Sequence, residues 1–296
     1  MDSSDLAVFA AVARLGGMGR AAEALHTVQS NVTARIRRLE ESLGTTLFVR
    51  HARGVNLTAA GQRLLPYARR TAHLLEDARR AALDDGTPQG KLVIGSLETT
   101  AALRLVPVLS DFAARHPAVD LTLRTGTTCE LLDAVLGHEL EGAFVCGPIA
   151  DHALEVLPAF QEELVMFTPP GVASLDALWA ERAPRMVVLR LGCSYRLRLE
   201  AVLARRGIPA PRVLEFGTLE AVFGCVAAGL GITLLPRALI GPVWREGRVG
   251  AHALPPEEAR VETVFVRRRD GHRSSALAAF LASACPETGG LAFAAE

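Results

Sequence analysis

The sequence is poor in the features that mark several large protein classes. It has five cysteines, an odd number with no close pair, in a chain of 296 residues; this argues against a disulfide framework and fits reduced thiols in a cytosol. The longest uncharged run, Ala221 to Pro236, is 16 residues long and contains Gly224, Gly229, Gly231 and Pro236. A membrane helix needs roughly 20 apolar residues, so no membrane partner is expected. The N-terminus, Met1-Asp2-Ser3-Ser4-Asp5, has neither the basic start nor the apolar stretch of a secretory signal, and a cytoplasmic location follows as the expectation. There is no His-Glu-x-x-His and no Cys-x-x-Cys, and the nearest two histidines, His138 and His152, stand 14 apart. Neither a metal site nor a cofactor has local support. Lysine occurs once, at Lys91, so 31 of the 32 basic residues are arginine, a bias more like that of a GC-rich genome than a chemical choice.

Net charge is also lacking, since Lys+Arg and Asp+Glu are both 32. The zero conceals an uneven distribution. Between Arg20 and Arg70 there are nine arginines (Arg20, Arg35, Arg37, Arg38, Arg50, Arg53, Arg63, Arg69 and Arg70) against Glu23, Glu40 and Glu41, a net +6 in 51 residues. A basic N-terminal block on a neutral chain is the asymmetry of a DNA-binding module joined to something else, although a solvated helix face carries similar charge. Half the residues are hydrophobic and 22% are charged, a globular composition. The length suits two or three compact units of roughly 100–200 residues each.

Periodicity separates the two readings of the basic block. Leu6, Phe9, Ala10, Ala13 and Leu15 have helical spacing and stop at Gly16-Gly17; a short helix follows from Gly19 to Leu25. A third helix, with Thr27 as its N-cap, carries Val28, Val32, Ile36, Leu39 and Leu43 as one buried stripe. Gln29, Ser30, Asn31, Thr33 and Arg35 share its exposed side. Two helices joined by a tight turn, the second rich in such residues, form helix-turn-helix grammar. A helix fits the major groove, where Gln, Asn, Ser and Arg reach base edges. After Gly44, the segments Leu47-Phe48-Val49-Arg50 and Val55-Asn56-Leu57 flank a turn and read as a hairpin wing with Arg50 and Arg53 for the DNA backbone or minor groove.

The run from Ala21 to Glu40, followed by Leu43-Gly44, Leu47-Phe48, Arg50, Arg53 and Leu57-Thr58-Ala59-Ala60-Gly61, resembles the N-terminal domain of the LysR-type transcriptional regulators over about sixty residues. Ala34 departs from the Arg or Gln that many members carry there. Thr58 is placed to cap a helix running to about Asp84 in which Leu64, Ala68, Thr71, Leu75, Ala78 and Ala82 form a heptad seam. The seam fits either a dimer partner or packing onto the helix's own DNA-binding domain. The resemblance implies dimerisation through this helix, a tetramer, an interrupted palindromic site on double-stranded promoter DNA, and contact with RNA polymerase if the protein is an activator.

From Leu92 onward a β-α-β-α-β unit occurs twice, at 92–145 and 186–235, implying two α/β lobes with mainly parallel sheets. A last strand (261–266) and helix (274–283) would return to the first lobe. The expected division is a winged helix-turn-helix at 1–58, a linker helix at 59–85 and a hinge at 86–90. Lobe I would comprise 91–160 and 262–290, and lobe II 161–261. The fold class is thus α+β multidomain. Ligands in open α/β sheets sit beyond the carboxyl ends of strands. Those ends carry Ser96, Thr99, Thr100, Thr127, Thr128 and Cys146 in lobe I, and Cys193, Ser194, Arg196, Gly217 and Thr218 in lobe II. Helix-start chemistry there favours a small anion or carboxylate. Gly95-Ser96 and Ala228-Gly229-Leu230-Gly231-Ile232-Thr233-Leu234-Leu235-Pro236 extend the resemblance to the LysR effector domain, itself similar to periplasmic binding proteins.

Two alternatives stand beside this reading: a redox-sensing regulator acting through Cys146 or Cys193, and a cytoplasmic small-molecule-binding protein without DNA function. An enzyme is not expected. Gly192-Cys193-Ser194-Tyr195-Arg196 has the outline of a nucleophile elbow, but Arg196 stands where the elbow requires glycine and no base can be nominated.

Overall fold

The structure, a computed structural model, describes residues 1–51, 54–181, 184–208, 211–241 and 247–285. It contains two compact units, Met1–Asp84 together with Gly137–Glu139, and Asp85–Leu136 together with the chain from Leu140 on.

In the first unit α1 (Ser3–Leu15), α2 (Met18–Ala24) and α3 (Gln29–Leu43) are followed by the hairpin β1 (Phe48–His51) and β2 (Gly54–Leu57) and by α4 (Ala59–Leu83). Asp2 caps α1, and Gly16 closes it in the left-handed region at φ 67°. Phe9, Val12, Ala21, Val32, Ile36, Leu39 and Leu47 are buried together in one core. Only the middle of the expected α3 stripe is buried: Val28 is 65% and Leu43 38% exposed, because each lies at a helix end beyond the reach of α1. The expected cap differs too. Val28 holds the N-cap position with no side-chain bond, while the Thr27 hydroxyl accepts from Asn31 Nδ2 at 2.9 Å.

Thr58 caps α4, its hydroxyl accepting from the Gly61 amide at 3.0 Å. The α4 seam is divided. Ala68 is fully buried in the core of its own unit and Leu64 packs beside it, so these two do not belong to a free dimer face. Beyond them Tyr67, Leu74 and Leu75 are each more than half exposed, while Asp77 pairs with Arg80 at 2.5 Å and with His138 Nδ1 at 3.1 Å.

The second unit is built on a sheet of order β10 (Gly250–Ala253), β6 (Leu154–Thr168), β11 (Arg260–Arg268), β5 (Gly142–Cys146), β3 (Gly90–Ser96) and β4 (Val119–Thr125), with β9 (Thr233–Pro236) also paired to β6, and on a separate two-stranded sheet. Its first half runs β3 (Gly90–Ser96), α5 (Glu98–Thr100), a π-helical turn (Ala101–Leu105), α6 (Val106–Arg115), β4 (Val119–Thr125), α7 (Thr128–Leu136) and β5 (Gly142–Cys146). The chain then crosses on the 15-residue β6 (Leu154–Thr168). Its second half runs α8 (Leu175–Glu181), β7 (Met186–Leu189), α9 (Ser194–Arg205), β8 (Val213–Phe216), α10 (Leu219–Ala227), β9 (Thr233–Pro236), β10 (Gly250–Ala253) and α11 (Pro256–Ala259). β11 (Arg260–Arg268) and α12 (Ser275–Ala284) go back to the first half, where β11 pairs with β5.

β3 runs parallel to β4 and β5, and β7 to β8, as the repeat predicts; β6, β9, β10 and β11 pair antiparallel. β6 was not foreseen. It carries Pro158, Glu162 and Glu163, which read as a break, yet its register with β11 slips between Thr263 and Val264 and leaves Ala159 unopposed beside that proline. Glu162 is tolerated because Arg104 pairs with it in two bonds of 2.9 and 3.2 Å. β6 pairs with β11 along its first part and with β9 and β10 along its last. The two lobes therefore share it as a continuous strand. A buried aromatic group, Phe112, Phe144, Phe265 and Phe280, fills lobe I.

Candidate effector cleft and nucleic-acid interface

On α3, Gln29, Ser30 and Asn31 are exposed, and Thr33 is half-buried. Ser30, Thr33, Ala34 and Arg37 follow i, i+3, i+4 and i+7 spacing and share a face. Arg37 and Arg38, both exposed, were not singled out in the sequence. Arg35, which was, turns inward: its guanidinium donates to Ser4 Oγ at 2.6 Å and lies 3.8 Å from Asp5. It ties α3 to the start of α1 and is not a free DNA contact, a correction that follows from position 35 falling on the α1 side of the helix. Thr27 is occupied by Asn31 as described above. Arg50 is exposed on β1, opposite Val55; Arg53 lies outside the described residues. The wing is held from both sides. Glu40 accepts from the Leu47 and Phe48 amides, and Val55 N donates to Gly16 O at 3.2 Å. Gly54, at φ 140°, lies so close to Gly16 that a side chain there would meet its carbonyl.

In the second unit a cleft of about 490 Å³, open to solvent, lies between the lobes. Of the residues picked out by strand-end position, Thr99, Thr127, Cys193, Ser194 and Gly217 line it. Leu97, Glu98, Thr125, Gly126, Leu189, Arg190 and Tyr195 complete the wall. Most of these lack the helix-start hydroxyl that marks a cleft residue in the sequence. The same rule that selected Thr99 could have selected Glu98, one residue earlier.

Ser96, Thr100, Thr128 and Cys146 are buried behind the wall. Ser96 Oγ donates to the Leu97 carbonyl at 2.9 Å. Thr128 Oγ1 accepts from Ser194 Oγ at 2.9 Å and from the Cys146 amide at 3.4 Å, joining the lobes by a hydroxyl pair. Thr218 caps α10, its hydroxyl accepting from the Ala221 amide at 3.3 Å. Arg196 faces away from the cleft wall and is committed to Glu215 at 2.6 Å and Glu200 at 3.1 Å. The expected pairing with a carboxylate is met inside the chain.

The helix starts are used unequally. Thr127 and Glu130 form a capping box on α7: the Thr127 amide donates to Glu130 Oε2 at 2.9 Å and the Glu130 amide to Thr127 Oγ1 at 3.3 Å. The Thr127 amide holds the Glu130 carboxyl below the usual range. The start of α10 instead receives a carboxylate from the other lobe, with the Leu219 amide donating to Glu98 Oε1 at 3.3 Å. Burial pushes the Glu98 carboxyl up, against this bond, and the nearby Glu220 charge adds to the rise. Arg190, about half exposed, stands 3.9 Å from Glu130. Thr99 Oγ1 is buried with no partner in hydrogen-bond geometry, next to the buried Tyr195 phenol.

Burial also pushes the Cys146 and Cys193 thiols up. A raised thiol pKa works against the thiolate that redox sensing requires. No helix among the described residues is long and apolar enough to cross a membrane, and no cluster of His, Cys, Asp and Glu there is arranged for a metal ion.

Residues 3–62 match the family profile described as the bacterial regulatory helix-turn-helix protein of the lysR family, and residues 85–285 match the LysR substrate binding domain. Similar proteins include the HTH-type transcriptional regulator YusT of Bacillus subtilis (strain 168), which bears the label uncharacterized; it is 46% identical over 97% of this chain and 96% of its own. The regulator GltR of the same organism is 43% identical over 93% of each chain. Among solved structures, a full-length OxyR variant from Pseudomonas aeruginosa superposes with a TM-score of 0.68 at 20% identity, over 100% of this chain and 99% of its own. Full-length CbnR in complex with its target DNA gives 0.67 at 24% identity, over 96% and 99%. At these identities the structures bear on the fold alone.

Proposed function

The chain belongs to the LysR family of transcriptional regulators, and from that premise we propose that it binds promoter DNA sequence-specifically under the control of a small carboxylate held in the cleft between its lobes. The observation that carries the DNA half is the outward polar face of α3, on which Gln29, Ser30, Thr33 and Arg37 stand free of the core. Gln29, Ser30, Asn31 and Thr33 read base edges, while Arg37, Arg38, Arg50 and Arg53 meet phosphates. The match of residues 3–62 to the lysR-family helix-turn-helix profile supports this.

In this reading residues 1–58 bind DNA, 59–85 dimerise and 86–90 act as the hinge. Lobe I comprises 91–160 and 262–290, and lobe II 161–261; residues 286–290 lie outside the described part. Both lobe boundaries fall within strands, β6 and β11, so the hinge between lobes is a sheet and not a loop. Thr71, Leu75 and Ala78, with the exposed Tyr67 and Leu74, form the dimer face of α4. Two such dimers make a tetramer that spans an interrupted palindrome and, where it activates, touches RNA polymerase. The protein works in the cytoplasm by binding, with no catalytic step. An effector shifts the assembly only through a difference in affinity between its arrangements.

Filter binding to the DNA beside its own gene tests the proposal. The expected result is affinity that falls steeply with salt as phosphate contacts release counterions. Binding that is flat from low to moderate salt, or that does not exceed binding to unrelated DNA, would reject it.

A further inference from the structure

The chemistry of the cleft narrows the ligand beyond a carboxylate. Taking the cleft as the effector site, we propose that the ligand is an amino acid, whose ammonium group meets Glu98 and whose carboxylate meets Arg190. Both charges of such a ligand find an incompletely used partner on the wall.

Glu98 lines the cleft and, among the described residues, accepts a hydrogen bond only from the Leu219 amide, at a long 3.3 Å. A carboxylate has about four acceptor sites, so most of its capacity is unspent. It is half-buried, its neighbour Glu220 has the same sign, and Arg190 is the cation that offsets it. An ammonium ion bound there removes the cost of holding a half-desolvated negative charge. Arg190 has the complementary surplus. Among the described residues its ion partner is Glu130, 3.9 Å away and at the limit of pairing. A guanidinium has five donors arranged to hold a carboxylate in two parallel bonds.

Thr99 supplies an independent sign that a polar ligand belongs here. It is only 3% exposed and lines the cleft, and among the described residues its hydroxyl has only the Tyr195 phenol beside it, outside hydrogen-bond geometry. A buried hydroxyl left in that state is destabilising until something bonds to it. Simpler ligand classes fit less well. A plain anion meets Glu98 where it would look for the amides of α10, and the carboxylates Glu98, Glu130 and Glu220 outnumber the cations Arg190 and Arg124 around it. A plain amine leaves Arg190 unused.

The test uses the full chain and three sets of probes: the twenty common L-amino acids, their deaminated carboxylates such as glutarate for glutamate, and their decarboxylated amines. Thermal shift finds binders and calorimetry ranks them. At least one amino acid should raise Tm, with both truncated analogues at least about tenfold weaker. Glu98→Gln, which keeps an acceptor for the Leu219 amide, should erase the preference for the amino acid over its deaminated form. Arg190→Gln should erase the preference over the amine. The proposal is overturned if no amino acid moves Tm, or if a deaminated carboxylate binds the wild type as well as its parent. In those cases a carboxylate response lost in Thr99→Val leaves the cleft reading intact and removes only the ligand class. Binding unchanged by both Glu98→Gln and Thr99→Val lies elsewhere in the molecule and removes the cleft reading as well.

Discussion

The recognition helix and the effector cleft are both built from polar residues at helix starts, yet they are finished in opposite ways. On α3 the residues of interest lie within one turn or two of each other and point outward, so the surface exists as soon as the helix packs on Val32, Ile36 and Leu39. In the cleft the corresponding residues come from opposite lobes and meet one another. Ser194 donates to Thr128 across 66 positions of sequence, and the Leu219 amide donates to Glu98 across 121. A DNA surface can be left open because water satisfies it. A cleft must be closed by its own groups or by a ligand, since unpaired buried polar atoms are costly.

The largest effect separates the two regions by their cores. Ile36→Ala removes a fully buried side chain from the first unit and should cost about 2–5 kcal/mol there. DNA binding should be lost while ligand-induced stabilisation of the second unit survives. Loss of both in a soluble variant would mean that the units do not fold apart. Next comes Gln29→Ala, which should cut discrimination between matched and mismatched sites by about 1–3 kcal/mol while leaving non-specific binding intact. Arg37→Ala should do the reverse, weakening all DNA and lowering the slope of log affinity against log salt by about one. A Gln29→Ala variant that loses every sequence equally would erase the distinction between base and phosphate contacts on α3.

Within the cleft, Thr127→Ala breaks the capping box of α7 and should lower stability by about 1 kcal/mol, measured by denaturant midpoint without ligand. Glu98→Gln should give the smallest change, and in the opposite direction. It should raise the ligand-free Tm at neutral pH by less than about 1 kcal/mol in stability, because a half-desolvated charge is gone. The two carboxylates also differ in pH dependence. Glu98 is raised in the folded protein, so its contribution is full below its unfolded value and is lost as pH rises through the folded one. Glu130 is lowered, so its contribution is present above its unfolded value and is lost as pH falls through the folded one. Glu98→Gln should therefore flatten the stability curve just above the usual carboxylate range, whereas Glu130→Gln should flatten it below.

How much could be read in advance follows from the same contrast. The last strand and helix, expected at 261–266 and 274–283, lie at Arg260–Arg268 and Ser275–Ala284, and the two β-α-β-α-β units stand where the repeat places them. Each of these carries its own periodicity and turn residues. The helix from Thr58 was legible as well, but its seam was not divisible by eye. Leu64 and Ala68 belong to the same heptad seam as Leu75 and Ala78, and only the position of α1 decides which pair is covered. Arg35 looked like Arg37 in the sequence until Ser4 and Asp5 were seen beside it. β6 escaped because Pro158 and the Glu162-Glu163 pair break the apolar pattern, and what accommodates Pro158 and Glu162, a register slip against β11 and Arg104, comes from elsewhere in the chain.

By itself, then, the sequence determined the elements and their order: a basic winged helix-turn-helix, a long helix and a twice-repeated α/β unit, each written in local spacing. The tertiary structure alone decided which of the many strand-end hydroxyls face the cleft, that Arg196 is spent on Glu215, and that Glu98 lies at the start of α10. Those outcomes depend on groups tens of residues apart reaching hydrogen-bond distance, and spacing along a chain carries no record of which distant partner arrives.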